Sequence, residues 1–195
     1  GDIDVGVNRI TLGTSTISIG SLSYTSGAII GEFERYVNAT ATDYLFPVGT
    51  ATDDLLLSVN FSNLSDGSVI SNFNTTNPGN DGLIPLDDAG QNLHNTFAEG
   101  YWSLTPANGM ASNDYDLDVN GVGFSSYAID ASTRLVTRAN NTLDWSSNGT
   151  HEDAVGNLAK RNNLTTIAAE YALADTTDCT PPVTSVITGN TDTCT

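Results

Sequence analysis

The sequence predicts an all-β protein: an antiparallel β-sandwich of the immunoglobulin or jelly-roll kind, with a short N-terminal strand ladder and an extended C-terminal strand. Three observations carry that expectation. Apolar residues recur with period two rather than 3.6, as in Leu55, Leu57, Val59, Phe61 and again in Tyr115, Leu117, Val119. Thr (26), Asn (20) and Ser (18) make up a third of the 195 residues, which favours strands and turns over helices. Turn signals fall roughly every 8 to 15 residues and delimit about ten strands, with few crossover helices between them.

The elements follow in order. Residues 1–26 hold short alternating runs (Ile3-Asp4-Val5, Ile10-Thr11-Leu12, Thr16 to Ile19) punctuated by Gly6, Gly13 and Gly20. Such a ladder is either the last rungs of a stacked parallel coil or a simple meander. The sandwich domain is expected over 27–174. It opens with a strand over 27–37, then Tyr44 to Gly49, an apolar strand end stopped by Pro47 and Gly49. Residues 55–61 and 69–73, separated by Asp66-Gly67, read as a hairpin. Residues 74–95 are the best loop candidate, and a loop of that length is functional or mobile. Strands are expected over 99–104, 115–119, 135–138, 142–146 and 166–173. A helix over 151–160 is the alternative there, weakened by Gly156. Residues 175–195 read as a linker through Pro181-Pro182, then a strand at Val183 to Ile187.

Charge excludes several functions. The chain has 23 Asp+Glu against 6 Lys+Arg, a formal net charge of −17. That surface repels phosphate backbones and anionic headgroups, so neither nucleic acid nor an anionic membrane is an expected partner. No run of about 18 apolar residues exists, so no membrane-spanning helix is expected. The single lysine, the many Thr and Asn, and cysteines confined to Cys179 and Cys194 fit a secreted, extracellular protein. The chain starts at Gly1 rather than Met, which fits a processed or excised piece of something longer. Cys179 and Cys194 are a disulfide candidate that would fasten a tail rather than a core; a remote partner for either stays open.

Chemistry-bearing patterns are sparse. His94 and His151 are the two histidines, and no GxSxG elbow accompanies them. Glu99 beside Tyr101 and Trp102 is the best carboxylate for a glycosidase-like site, yet aromatics on a strand are more often core. No catalytic residue is assigned, and the chain is not expected to be an enzyme. Asp114, Asp116 and Asp118 would share one strand face and form a weak calcium candidate; they fail the EF-hand pattern, and a solvated face is the plainer reading. Tyr101, Trp102 and Trp145 are the glycan-binding candidates.

Five segments together resemble a known group: residues 26–36, Tyr44 to Thr50, Glu99 to Leu104, Ser132 to Arg138 and Gly149-Thr150-His151. The set resembles large secreted surface proteins of Bacteroidetes-type bacteria, often exported by the type IX system, over roughly residues 20–175. The tail from Pro181 to Asn190 resembles the opening of a PKD-like or immunoglobulin-like repeat, cut off after its first strand. The resemblance implies a β-sandwich module among such repeats and an O-glycan at Thr176. It carries over no catalytic residue.

The expected function is thus an extracellular structural or adhesive surface module, a candidate filament subunit assembling by strand addition. The donor strand is either the tail, through Val183, Val186 and Ile187, or the N-terminal ladder, through Ile3, Val5, Ile10 and Leu12. Partners are copies of itself or neighbouring domains; a carbohydrate-binding module is the alternative. No cofactor is expected beyond the calcium candidate.

Overall fold

A computed structural model describes residues 1–176. Val183, Val186, Ile187, Cys179 and Cys194 lie outside the described residues. In chain order the strands are β1 (Ile3–Leu12), β2 (Ile29–Val37), β3 (Asp43–Phe46), β4 (Leu57–Phe61), β5 (Gly67–Asn74), β6 (Leu86–Asp88) and β7 (Gln91–Leu93). They continue with β8 (Asn95–Thr96), β9 (Tyr101–Ala107), β10 (Tyr115–Asn120), β11 (Arg134–Arg138), β12 (Thr150–Val155), β13 (Leu158–Leu164) and β14 (Ala169–Asp175).

The period-two patterning builds two facing sheets. β4 buries Leu57, Val59 and Phe61 and turns Ser58 and Asn60 outward. β10 does the same with Tyr115, Leu117 and Val119 against Asp116, Asp118 and Asn120. These two lie inside a five-stranded antiparallel sheet of order β12-β13-β10-β4-β3. The opposing sheet has seven strands, in the order β1-β2-β5-β9-β14-β11, with β8 paired to β14. Between them sits one core, in which Phe33, Val69, Trp102, Tyr171 and Leu173 meet Phe46, Val59, Phe61, Leu117 and Val119. Each such side chain contributes about 1.5–3 kcal/mol by leaving water. Phe33 and Phe46 meet edge to face at 6.0 Å. The Tyr115 hydroxyl donates to Thr166 O at 2.8 Å and also hydrogen-bonds the Tyr171 hydroxyl. Burial pushes both phenols well above their usual range, so this polar pair stays uncharged inside the sandwich.

The N-terminal ladder resolves into one strand of the large sheet. β1 runs parallel to β2, with a register shift between Asp4 and Arg9, and lays Val5, Ile10 and Leu12 against the core. Gly31 (φ 113°) makes room for it: a Cβ there would sit 2.5 Å from Val5 Cγ2. Ile3 remains half exposed and Val7 fully exposed.

The structure corrects four expectations. Residues 142–146 are not a strand: they follow β11 as a turn, and Ser146 makes only an isolated bridge to Thr137. Residues 55–61 and 69–73 are not a hairpin, because β4 and β5 belong to different sheets. Asp66-Gly67 carries the chain from one sheet to the other, and Gly67 packs so closely that a Cβ would lie 2.3 Å from Met110 N. Residues 151–160 form the β12–β13 hairpin rather than a helix, turning at Gly156 (φ 61°). The 74–95 stretch is not an open loop. It holds β6, β7 and the start of β8, and it seats Leu83 and Leu93 against Val136, Trp145, Ala172 and Ala174 in a second apolar cluster.

Candidate functional site: a charged groove and a buried arginine–carboxylate cluster

Alternation places one polar row from each strand on the outer face of the five-stranded sheet. There Asp43, Ser58, Asn60, Asp116, Asp118, Glu152, Lys160 and Asn162 line a groove of about 360 Å³. Lys160 Nζ stands 3.6 Å from Asp118 and 3.8 Å from Glu152. The amides tie down the other acids: Asn60 donates to Asp43 at 2.6 Å and Asn162 donates to Glu152 at 3.0 Å. Burial, then the neighbouring Glu152 and Asp43 carboxylates, hold Asp118 above the usual carboxylate range against the pull of Lys160. Replacing Lys160 with Met removes the groove's cation. A loss of roughly 0.5–1 kcal/mol at low salt is expected, shrinking as salt is added, measured by chemical denaturation at two ionic strengths.

The expected triad of Asp114, Asp116 and Asp118 is not gathered. Asp114 lies just before β10, where its carbonyl accepts from Ser62 N and Asn63 N. Asp116 accepts from Asn163 N at 2.9 Å, and Asp118 faces Lys160. Alternation does put Asp116 and Asp118 on the groove face of β10, but Asp114 precedes the strand and stands outside that lining. Among the described residues no group of three or more His, Cys, Asp or Glu is arranged to hold a metal ion.

The aromatic candidates are not an exposed platform. Trp102 is fully buried, donates Nε1 to Leu55 O at 2.8 Å, and stacks on Phe124 at 5.6 Å. Trp145 is 2% exposed, donates to Gly79 O at 2.9 Å, and carries the Arg138 guanidinium 4.1 Å from its ring centroid. Tyr101 is half-buried beside the same guanidinium, at 5.7 Å. The apolar bodies of the two tryptophans outweigh any exposed role once a core is there to receive them.

Glu99 serves as a turn acceptor. It takes hydrogen bonds from Ser125 N and Ser126 N, both at 2.7 Å, and from both serine hydroxyls. Burial pushes its carboxyl up, but these bonds outweigh it and hold the group below the usual range, the opposite of what a general acid needs. Thr176 is the last described residue and is partly exposed.

Sequence reasoning missed the densest charge cluster. Asp88, at the end of β6, receives two guanidinium nitrogens from Arg161 on β13, Nη2 at 3.2 Å and Nη1 closer. Arg134 on β11 donates Nε to the Asp88 carbonyl at 3.2 Å and stands 3.9 Å from its carboxylate. One residue of the β6–β7 hairpin is thereby tied to a strand from each sheet. Arg161 is completely buried and also donates to Asn148 O. Arg138 completes the line with a 2.7 Å pair to Glu170. His151 on β12 lies directly across from Arg161; its side chain is 7% exposed, its Nε2 is 3.1 Å from Asp153, and its Nδ1 is buried without a hydrogen-bond partner. A signal existed. In so acidic a chain a basic residue is scarce, and Arg134-Leu135-Val136-Thr137-Arg138 puts two guanidiniums and Val136 on one strand face.

Fold and site together define the class: an all-β sandwich module with a polar groove on one sheet and a hairpin clamped by arginines from both sheets. Comparison of the chain with family models, with curated proteins and with solved structures finds no match.

Proposed function

We propose that this chain is an extracellular structural or adhesive module of a cell surface, and that it joins its neighbours by β-strand addition along β1. The observation that supports this is the free side of that strand. Among the described residues β1 is paired only with β2, so a ten-residue strand offers its second row of N–H and C=O groups to an incoming partner. Ile3 and Val7 expose apolar surface on the same strand. In this reading the incoming strand is the tail of a neighbouring copy, with Val183, Val186 and Ile187 as its apolar positions. We place the protein outside the cell on its composition, and assign it no catalysis. Each copy is strongly negative, so assembly strengthens with salt as repulsion is screened.

Light scattering after size exclusion, with electron microscopy, tests the reading. The full chain is expected to grow into larger species as protein and salt concentrations rise. Ile3→Lys with Val7→Lys, and separately a chain lacking 180–195, are expected to stay monomeric with unchanged thermal unfolding. Assembly without the tail removes the tail from the reading; a wild type that stays monomeric at every concentration and salt sinks strand addition altogether.

A carbohydrate-binding module is the second reading, and the groove favours it. Asn60, Asn162 and Ser58 among carboxylates are the groups that bond sugar hydroxyls. Glycan-array binding abolished by Asn60→Ala with Asn162→Ala supports it; binding unchanged in that variant counts against it.

A further inference from the structure

We propose that His151 is an acid-sensitive latch: protonating its buried imidazole releases the β6–β7 hairpin from the sandwich. The hairpin's polar anchorage runs through Asp88, and both arginines that hold Asp88 also border His151. Arg161 faces His151 directly across the β12–β13 pair, and Arg134 comes from β11. The other charged groups around the imidazole are Asp88 itself from β6 and Asp153 on its own strand; Glu152 alternates to the opposite face of β12, in the groove. Neutral, the ring fits, with one nitrogen at Asp153. Charged, it becomes a third cation around a single carboxylate that Arg161 already occupies. Asp153, its one direct partner, is 73% exposed and compensates weakly. The second nitrogen has no acceptor, so protonation would bury an unpaired N–H donor.

The direction of the titration agrees. Burial first, then Arg134, holds the His151 imidazole below its ordinary range. A histidine in unfolded or released chain titrates near about 6.5. The released hairpin therefore binds more protons than the seated one between that value and the lower folded one. Seating is complete above about pH 6.5 and weakens as pH falls through the window, by at most roughly tenfold in the opening constant per pH unit. The second apolar cluster, Leu83 and Leu93 against Trp145, is the surface exposed on release.

Hydrogen exchange of the full chain between about pH 7.5 and about pH 5, corrected for intrinsic rates, reads the latch. Peptides over 83–93 are expected to lose protection on acidification by up to roughly tenfold per unit, while β5 and β10 hold theirs. His151→Gln is expected to abolish that pH dependence, and His94→Gln to retain it. An imidazole NMR titration of the wild type gives a readout needing no variant: His151 is expected to titrate below the ordinary histidine range. The proposal is overturned if His151 titrates normally, if 83–93 keeps its protection at acid pH, if protection falls equally in β5 and β10, or if His151→Gln shows the same pH dependence as the wild type.

Discussion

Asp88→Asn is expected to lower stability by about 3–5 kcal/mol, because it leaves the Arg161 guanidinium buried beside a neutral amide. In a chain of this size that corresponds to a fall of roughly 6–20 °C in Tm, read by differential scanning calorimetry. The pair need not be net stabilising for its disruption to be costly. Desolvating both ions opposes their attraction, and removing one leaves the other uncompensated. Asp88→Leu combined with Arg161→Met is therefore expected to recover most of the loss, giving a large coupling in a double-mutant cycle. Additive single losses would show that the two side chains do not act as a unit. The loss should appear first in the hairpin, since Asp88 ties β6 to β11 and β13.

Trp102→Ala is expected to be the most damaging of the aromatic truncations, at about 3–5 kcal/mol from lost transfer and the cavity left behind. The indole is fully buried, meets Phe73 edge-on at 5.2 Å, stacks on Phe124, and satisfies Leu55 O from across the sandwich. Orphaning that carbonyl adds about 1–3 kcal/mol unless water enters. Trp102→Phe helps to apportion the two terms, since it keeps an aromatic ring and most of the volume while losing the donor. Denaturant titration measures all three. If Trp102→Ala unfolds with wild-type stability, the residue is not the cross-sheet keystone that its contacts describe.

The large-scale fold was legible because alternation is local. Leu57-Ser58-Val59-Asn60-Phe61 can bury one face only as a strand, and the same holds for Tyr115 to Asn120. The helix alternative over 151–160 fails for a similarly local reason, a glycine with positive φ at the turn. The β4–β5 relation was not legible. Asp66-Gly67 permits a tight turn, and whether that turn closes a hairpin or crosses between sheets depends on Met110, more than 40 residues away. Nor was the anchored state of residues 74–95 legible, since its polar composition is that of a loop and its fixation comes from Arg134 and Arg161 on strands far along the chain.

The large negative charge, the period-two patterning and the all-β class follow from the residues alone, because each depends on composition or on neighbours one or two positions apart. The destination of each side chain does not. Trp102 and Trp145 are core, Glu99 is a turn acceptor, and the three aspartates are divided among a backbone amide, a lysine and a loop. Only tertiary structure decides these, because desolvation and partner supply are set by strands distant in sequence, and a lone residue carries no record of what will pack over it.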